Sequence, residues 1–303
     1  MNPTSFQIPA YLQKGDTVAI VATARKHIED QVENAVSFLT DLGLRVMIGK
    51  SIGLENNQLA GSDSERAQDF QHHLDQPEVK AIWCVRGGYG TVRMIDLIDF
   101  SSFVKNPKWI IGFSDVTVLH QHINRLGIAT LHGIMAVNVP KATAEAKTTF
   151  VKALFGEPLH YETNTHSLNQ IGETTAEIVG GNLSIIYSLL GSESLGHFKD
   201  KILFLEDLDE YLYHIDRMMF GLQRAGVLQH LKGIVVGNMN KMHDNPIPWG
   251  KNAEEIIHER TAHLGFPIMF DFPAGHIHNN CAVPFGKKAH LKVENEKASL
   301  TFL

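Results

Sequence analysis

The sequence predicts an α/β fold organised around a parallel sheet, with a second α/β block after it. Three observations carry this. Short, nearly uninterrupted apolar runs alternate with amphipathic segments up to Pro140, the rhythm stops there, and a new alternation starts near Ala176. Strands that are apolar on both faces belong to a parallel sheet covered by helices on both sides. A chain of 303 residues is also long enough for two domains.

In chain order, "TVAIVAT" (17–23) reads as a buried strand, and 27–42 follows with helical spacing through Val32, Ala35, Val36 and Leu39. "RVMIGK" (45–50) is a second strand, and 62–74 is a polar helix that Ser62 or Asp63 can cap. "KAIWCV" (80–85) leads into a glycine-rich turn and a helix from Thr91; "KWIIGF" (108–113) leads into a helix over 115–125. The stretch after Pro140 has no period-2 pattern and is rich in Thr, Asn and Glu, so 146–170 reads as a linker with one short helix near 148–154. It joins an N-terminal domain, 1–145, to a C-terminal domain, 171–303.

In the second block "AEIVGG" (176–181), "KILFLED" (201–207), "GIVVGNM" (233–239) and "PIMFDFP" (267–273) read as strands. Residues 210–224 are helical, with Leu212, Ile215, Met219 and Leu222 on one face, and 252–264 form another helix. "AHLKVE" and "ASLTFL" alternate apolar and polar, the pattern of a half-buried antiparallel pair.

A formal net charge of -6 lacks the basic footprint of a nucleic-acid binder. The two cysteines, Cys84 and Cys281, form neither a C-x-x-C pair nor a zinc spacing, so a reducing compartment fits. The N-terminus has no basic segment leading into an apolar one, and no run approaches the roughly 18 apolar residues of a membrane helix. The expectation is a soluble, cytoplasmic protein.

Ligands of open parallel sheets gather at the carboxyl ends of the strands. Two such ends stand out: Arg86-Gly87-Gly88-Tyr89-Gly90, and Gly112-Phe113-Ser114-Asp115. Glycines let backbone approach a ligand, and amides beside a helix N-terminus hold anions. "RGGYG" is therefore open to three readings: a phosphate loop without the Walker A lysine, an oxyanion site, or a tight turn without function. Ser114 has the strand-turn-helix setting of a nucleophile elbow, but Val116 replaces the second glycine of G-x-S-x-G. Locally it reads as a helix N-cap, and Asp115 as a favourable charge on the helix dipole.

In "LEDLDE", Asp209 reads as the cap of the next helix and most of the acids as solvent-facing, whereas Glu206, first after the buried "ILFL", can orient a histidine. His276 follows Pro273-Ala274-Gly275 in a loop, unlike most of the seventeen histidines, and no carboxylate or cysteine spacing completes a metal site around "GHIH". Cys84 reads as a buried small hydrophobe, and Cys281 as a thiol with nothing nearby to lower its pKa.

Taken together, "CVRGGYGTVRMID", "IIGFSDVTVLH", "IVGGNLSII", "ILFLEDLDEYLYHIDRMMFGLQRAGVL" and "PAGHIHNNCAVPFGKKAHL" resemble, in this order, the LD-carboxypeptidase family of serine peptidases. That family includes the muropeptide L,D-carboxypeptidases and the microcin C self-immunity peptidases. The resemblance implies a flavodoxin-like parallel-sheet sandwich followed by a smaller C-terminal α/β domain. It implies a Ser-Glu-His triad on Ser114, Glu206 and His276, an oxyanion hole from the amides of Asp115 and Gly88, no cofactor and no metal. Arg86, Tyr89 and Asn182, within the matching stretches, become candidates for substrate binding, Arg86 for a terminal carboxylate. The implied reaction is release of terminal D-alanine from murein tetrapeptide in cell-wall recycling, by a homodimer.

The chain departs from the family where its first strand ends, in "VATARK" rather than a Pro-Ser or Pro-Ala segment, and at Ile277, where glycine often follows the histidine. Both changes bear on substrate preference. Action on peptidyl-nucleotides or other acyl amides is therefore an alternative, as are a non-catalytic ligand-binding cleft with Ser114 as a cap, and nucleotide binding at "RGGYG".

Overall fold

A computed structural model describes residues 5–27 and 30–303. The first four residues and positions 28–29, where the predicted first helix begins, lie outside it; that helix is described over Asp30–Asp41.

Strands β1 (Thr17–Val21), β2 (Arg45–Ile48), β3 (Val79–Cys84), β4 (Trp109–Gly112) and β5 (Thr130–His132) form a parallel sheet in the order β5-β4-β3-β1-β2. Every residue of β1 and β4 is buried, as the continuous apolar runs require of a sheet covered on both faces. The second sheet takes β6 (His160–Asn164), β7 (Gly172–Asn182), β8 (Ile202–Leu208), β9 (Gly233–Asn240) and β10 (Ile268–Met269). The chain then returns to the first sheet, where β11 (Val283–Phe285) pairs antiparallel with β5. It ends in β12 (Lys288–Val293) and β13 (Lys297–Phe302), an antiparallel pair whose buried residues alternate as the sequence pattern predicts. The second sheet runs β10-β9-β8-β7-β12-β13-β6, parallel from β10 to β7 and antiparallel beyond.

The stretch read as a linker is structured. Thr143 caps a helix over Ala144–Phe155, Gly156 ends it in the left-handed conformation, and Phe150 packs against Trp83 at 5.1 Å between ring centroids. β6 follows within that stretch and pairs with β13. The strand expected over 267–273 is only two residues long, because Asp271 turns to φ 58° and Pro273 supplies no N–H. A single apolar cluster joins the two sheets, passing from Trp83 and Phe150 through Phe285 and Phe204 to Phe272. Among the described residues no helix is long and apolar enough to cross a membrane.

Candidate active site

The carboxyl ends of β3, β4 and β8 and the loop after β10 meet at a cavity of about 480 Å³. Arg86, Gly87, Gly88, Ser114, Asp207 and His276 are in its wall.

Ser114 is not an N-cap. The one-turn 3₁₀ helix over Ser114–Val116 has Phe113 in the cap position, without a side-chain cap bond, and Ser114 itself sits at φ 62°. A non-glycine residue in the left-handed region costs roughly 1–3 kcal/mol and needs surroundings that enforce it. Those surroundings are visible. His120 donates its Nε2–H to the Gly112 carbonyl at 2.9 Å, and the Asp115 carboxylate accepts from the Thr91 amide at 2.8 Å. The Asp115 bond ties the serine turn to the helix that follows "RGGYG". Burial raises the Asp115 pKa, against these hydrogen bonds. Gly87 lies against the serine so closely that a Cβ there would stand 3.0 Å from Ser114 Cβ and 3.3 Å from the Asp115 nitrogen.

On the opposite wall, His276 donates from Nδ1 to Glu206 Oε2 at 2.6 Å. That bond fixes the tautomer and leaves Nε2 as the free ring nitrogen. Glu206 is fully buried. Burial alone favours a neutral imidazole, yet the charge and hydrogen bond of Glu206 outweigh it, and the His276 pKa is raised. The same pairing holds the Glu206 pKa below the ordinary value, against the effect of burial. The loop is fastened by Asn280, whose Oδ1 accepts from the Gly275 amide at 2.8 Å and from His132 Nε2 at 3.1 Å. His132 is buried among Phe113, Phe204 and Phe285, and its pKa is pushed down to about 4 by burial, so it is neutral and donates. Phe113 bridges to His276, with the two ring centroids 4.9 Å apart.

The helix after the serine, Thr117–Arg125, is docked on β7. Gln121 donates to the Gly180 carbonyl at 2.7 Å, and the Asn182 amide donates to Thr117 Oγ1 at 3.0 Å. Gly180-Gly181 allow this approach: a Cβ on Gly181, at φ 139°, would stand 2.5 Å from Thr117 Oγ1. The paired glycines of "IVGGN" thus set how closely the two units meet.

Ser114, Glu206 and His276 come together here, and Arg86, Gly88, Asp115 and Asn182 line the same cavity. Tyr89 instead lines a neighbouring cavity. Asn182 caps the helix over Leu183–Ser188 and donates from Nδ2 to Asp207 at 2.8 Å. The acidic run departs from its local reading at two points. Asp207 is buried, accepts from Asn182 and the Ser184 amide, and has its pKa pushed up to about 7 by burial and by Glu206. Asp209 pairs with His243 at 2.6 Å, while Tyr211 holds the cap position of the next helix. Burial pushes both cysteine thiols up to about 12.

Known protein families match both parts of the chain. Residues 18–133 match the LD-carboxypeptidase N-terminal domain, and 175–291 match the LD-carboxypeptidase C-terminal domain. A probable murein peptide carboxypeptidase of Bacillus subtilis (strain 168) is 35% identical over 297 residues, covering 96% of this chain and 93% of its own. The chain belongs to the LD-carboxypeptidase family. This family assignment makes it a hydrolase of the carboxypeptidase kind. Solved structures of the same fold include a muramoyltetrapeptide carboxypeptidase from Oxalobacter formigenes (TM-score 0.86, 23% identity, covering 94% of this chain and 98% of that one). Another is an MccF-like protein from Bacillus anthracis str. Ames (TM-score 0.84, 27% identity, 98% and 99%).

Sequence reasoning missed several residues around this LD-carboxypeptidase cleft. Arg25 lies on its rim, within the "VATARK" departure that was its only signal. Gly87 rather than Gly88 touches the serine, a distinction that two adjacent glycines do not carry in their order. His132 gave no signal, because its role comes from a contact 148 positions away.

Proposed function

We propose that this LD-carboxypeptidase is a serine peptidase that cleaves an L,D-amide bond, releasing terminal D-alanine from murein tetrapeptide in cell-wall recycling. The observation that supports it most is the buried Glu206–His276 pair at 2.6 Å in the wall of the cavity that also holds Ser114 at φ 62°. His276 Nε2 takes the Ser114 proton as Oγ attacks the carbonyl before the terminal residue, and Glu206 steadies the resulting imidazolium. The tetrahedral oxyanion lies against the amides of Asp115 and Gly88, each donor worth roughly 10²–10³ in rate. His276 returns the proton to the leaving amine, and water then releases the acyl group from Ser114. Arg86, part-buried and donating from Nη1 to the Lys26 carbonyl at 2.9 Å, is a fixed cation for the substrate's terminal carboxylate.

Incubation with murein tetrapeptide and assay of free D-alanine tests this reading; no release by the wild-type protein sinks it. The MccF-like fold match favours a second reading, hydrolysis of an aminoacyl or peptidyl nucleotide amide, which the same assay separates by substrate. A cytoplasmic homodimer is the accompanying expectation, checked by cell fractionation and light scattering.

A further inference from the structure

The active-site cavity has a neighbour of about 370 Å³, lined by Asn56, Asn57, Gln58, Leu59, Tyr89 and Arg93. Arg25 lines both cavities, so the two adjoin at its side chain. The charges in this second cavity do not balance. Arg93 makes a two-pronged pair with Asp63, at 2.8–3.0 Å, and the same carboxylate also pairs with the buried Arg66. Arg25 is exposed and makes no ion pair among the described residues, and no carboxylate lines the second cavity.

Its position is nevertheless built. The Arg25 stem packs on Gly88, where a Cβ would come within 2.5 Å of Arg25 Cδ, and Arg25 forms a bridge to Leu59. The Asn56–Leu59 turn closes on itself through reciprocal amide bonds of 2.9 and 3.0 Å. Three successive carboxamides and a half-exposed tyrosine offer donors and acceptors suited to peptide groups.

We propose that the second cavity is the subsite for the part of the substrate N-terminal to the cleaved bond, and that Arg25 binds a carboxylate on that arm. This rests on the carboxypeptidase reading above. The released residue is one small amino acid, so most of a tetrapeptide lies on the acyl side and needs a groove beyond the serine. A guanidinium without an ion pair, placed where the two cavities adjoin, selects an arm that carries negative charge there.

The test uses two tetrapeptides with the same terminal D-alanine linkage, one with a free carboxylate on its D-glutamyl residue and one with that group amidated. Wild type is expected to favour the free acid roughly ten- to hundredfold in kcat/KM, the range of a hydrogen bond to a charged group, mostly through KM. Arg25→Gln is expected to lose that preference, and Arg25→Lys to keep part of it. Tyr89→Ala should raise KM for the tetrapeptide. Equal use of the two peptides by wild type, or an unchanged preference in Arg25→Gln, overturns the proposal while leaving D-alanine release in place. Absence of release from any peptide by wild type overturns the carboxypeptidase reading instead.

Discussion

The two walls of the active-site cavity are built by different physics. The serine wall is steric: Ser114 at φ 62°, Gly87 pressed against it, and a turn held by uncharged contacts from His120 and by the Asp115–Thr91 bond. The histidine wall is electrostatic: a buried carboxylate raises the pKa of an imidazole that burial alone would lower. A site divided in this way should respond to added volume on one side and to altered charge on the other.

The largest effect expected is from Ser114→Ala, which removes the proposed nucleophile without disturbing a charge. D-Alanine release should fall by roughly 10⁴-fold or more, with an unchanged circular dichroism spectrum and melting temperature. Next is Glu206→Gln on the opposite wall, with an expected loss of up to roughly 10⁴ in kcat by analogy with the corresponding change in a serine-protease triad. Its sharper readout is pH. His276, the proposed base, must be neutral to act, so in the wild type the acid limb of the kcat/KM profile is expected above 6.5, the ordinary histidine value. Without the Glu206 charge, burial prevails, and the residual limb should move to lower pH; an unmoved limb would separate Glu206 from the titrating base.

Gly87→Ala tests the steric wall. The added methyl meets Ser114 Cβ at 3.0 Å and should displace the hydroxyl, lowering kcat by roughly 10²-fold, with the pH profile unshifted. Gly181→Ala acts where the units join. It combines an unfavourable φ of 139° with a contact of 2.5 Å, so a stability loss of roughly 1–3 kcal/mol is expected in denaturant titration. The smallest effect belongs to Cys281→Ala, a buried thiol that does not line the cavity; D-alanine release should stay within about twofold.

The contrast between the walls also explains what the sequence made legible. β1, β4 and β8 were readable because complete burial leaves a continuous apolar run, and Glu206 stood out as the first acid to follow one. The C-terminal pair was readable from its alternation. β6 was not, because "HYETN" becomes a strand only by pairing with β13 at the edge of the sheet, over 130 positions away. β5 and β11 are three residues each and share the difficulty. At the site, the local pattern around Ser114 suggested a cap, since positive φ is imposed by neighbours and leaves no mark on a serine. The grouping of Ser114, Glu206 and His276 was reachable only through the resemblance in order and spacing.

The return of β11 to the edge of the first sheet has a consequence for how the molecule can move. Only six residues separate His276 from Val283, the first residue of a strand that is hydrogen-bonded beside β5. His276 is thereby moored to the sheet that carries Ser114 by a second route, next to the β7 contact, where the Gly286 amide bonds the Ile178 carbonyl at 2.7 Å. Wide hinge opening would have to unzip sheet hydrogen bonds, so substrates must enter a mouth whose width is already set, and excising the front half of the gene product would strip that half of its own border strand.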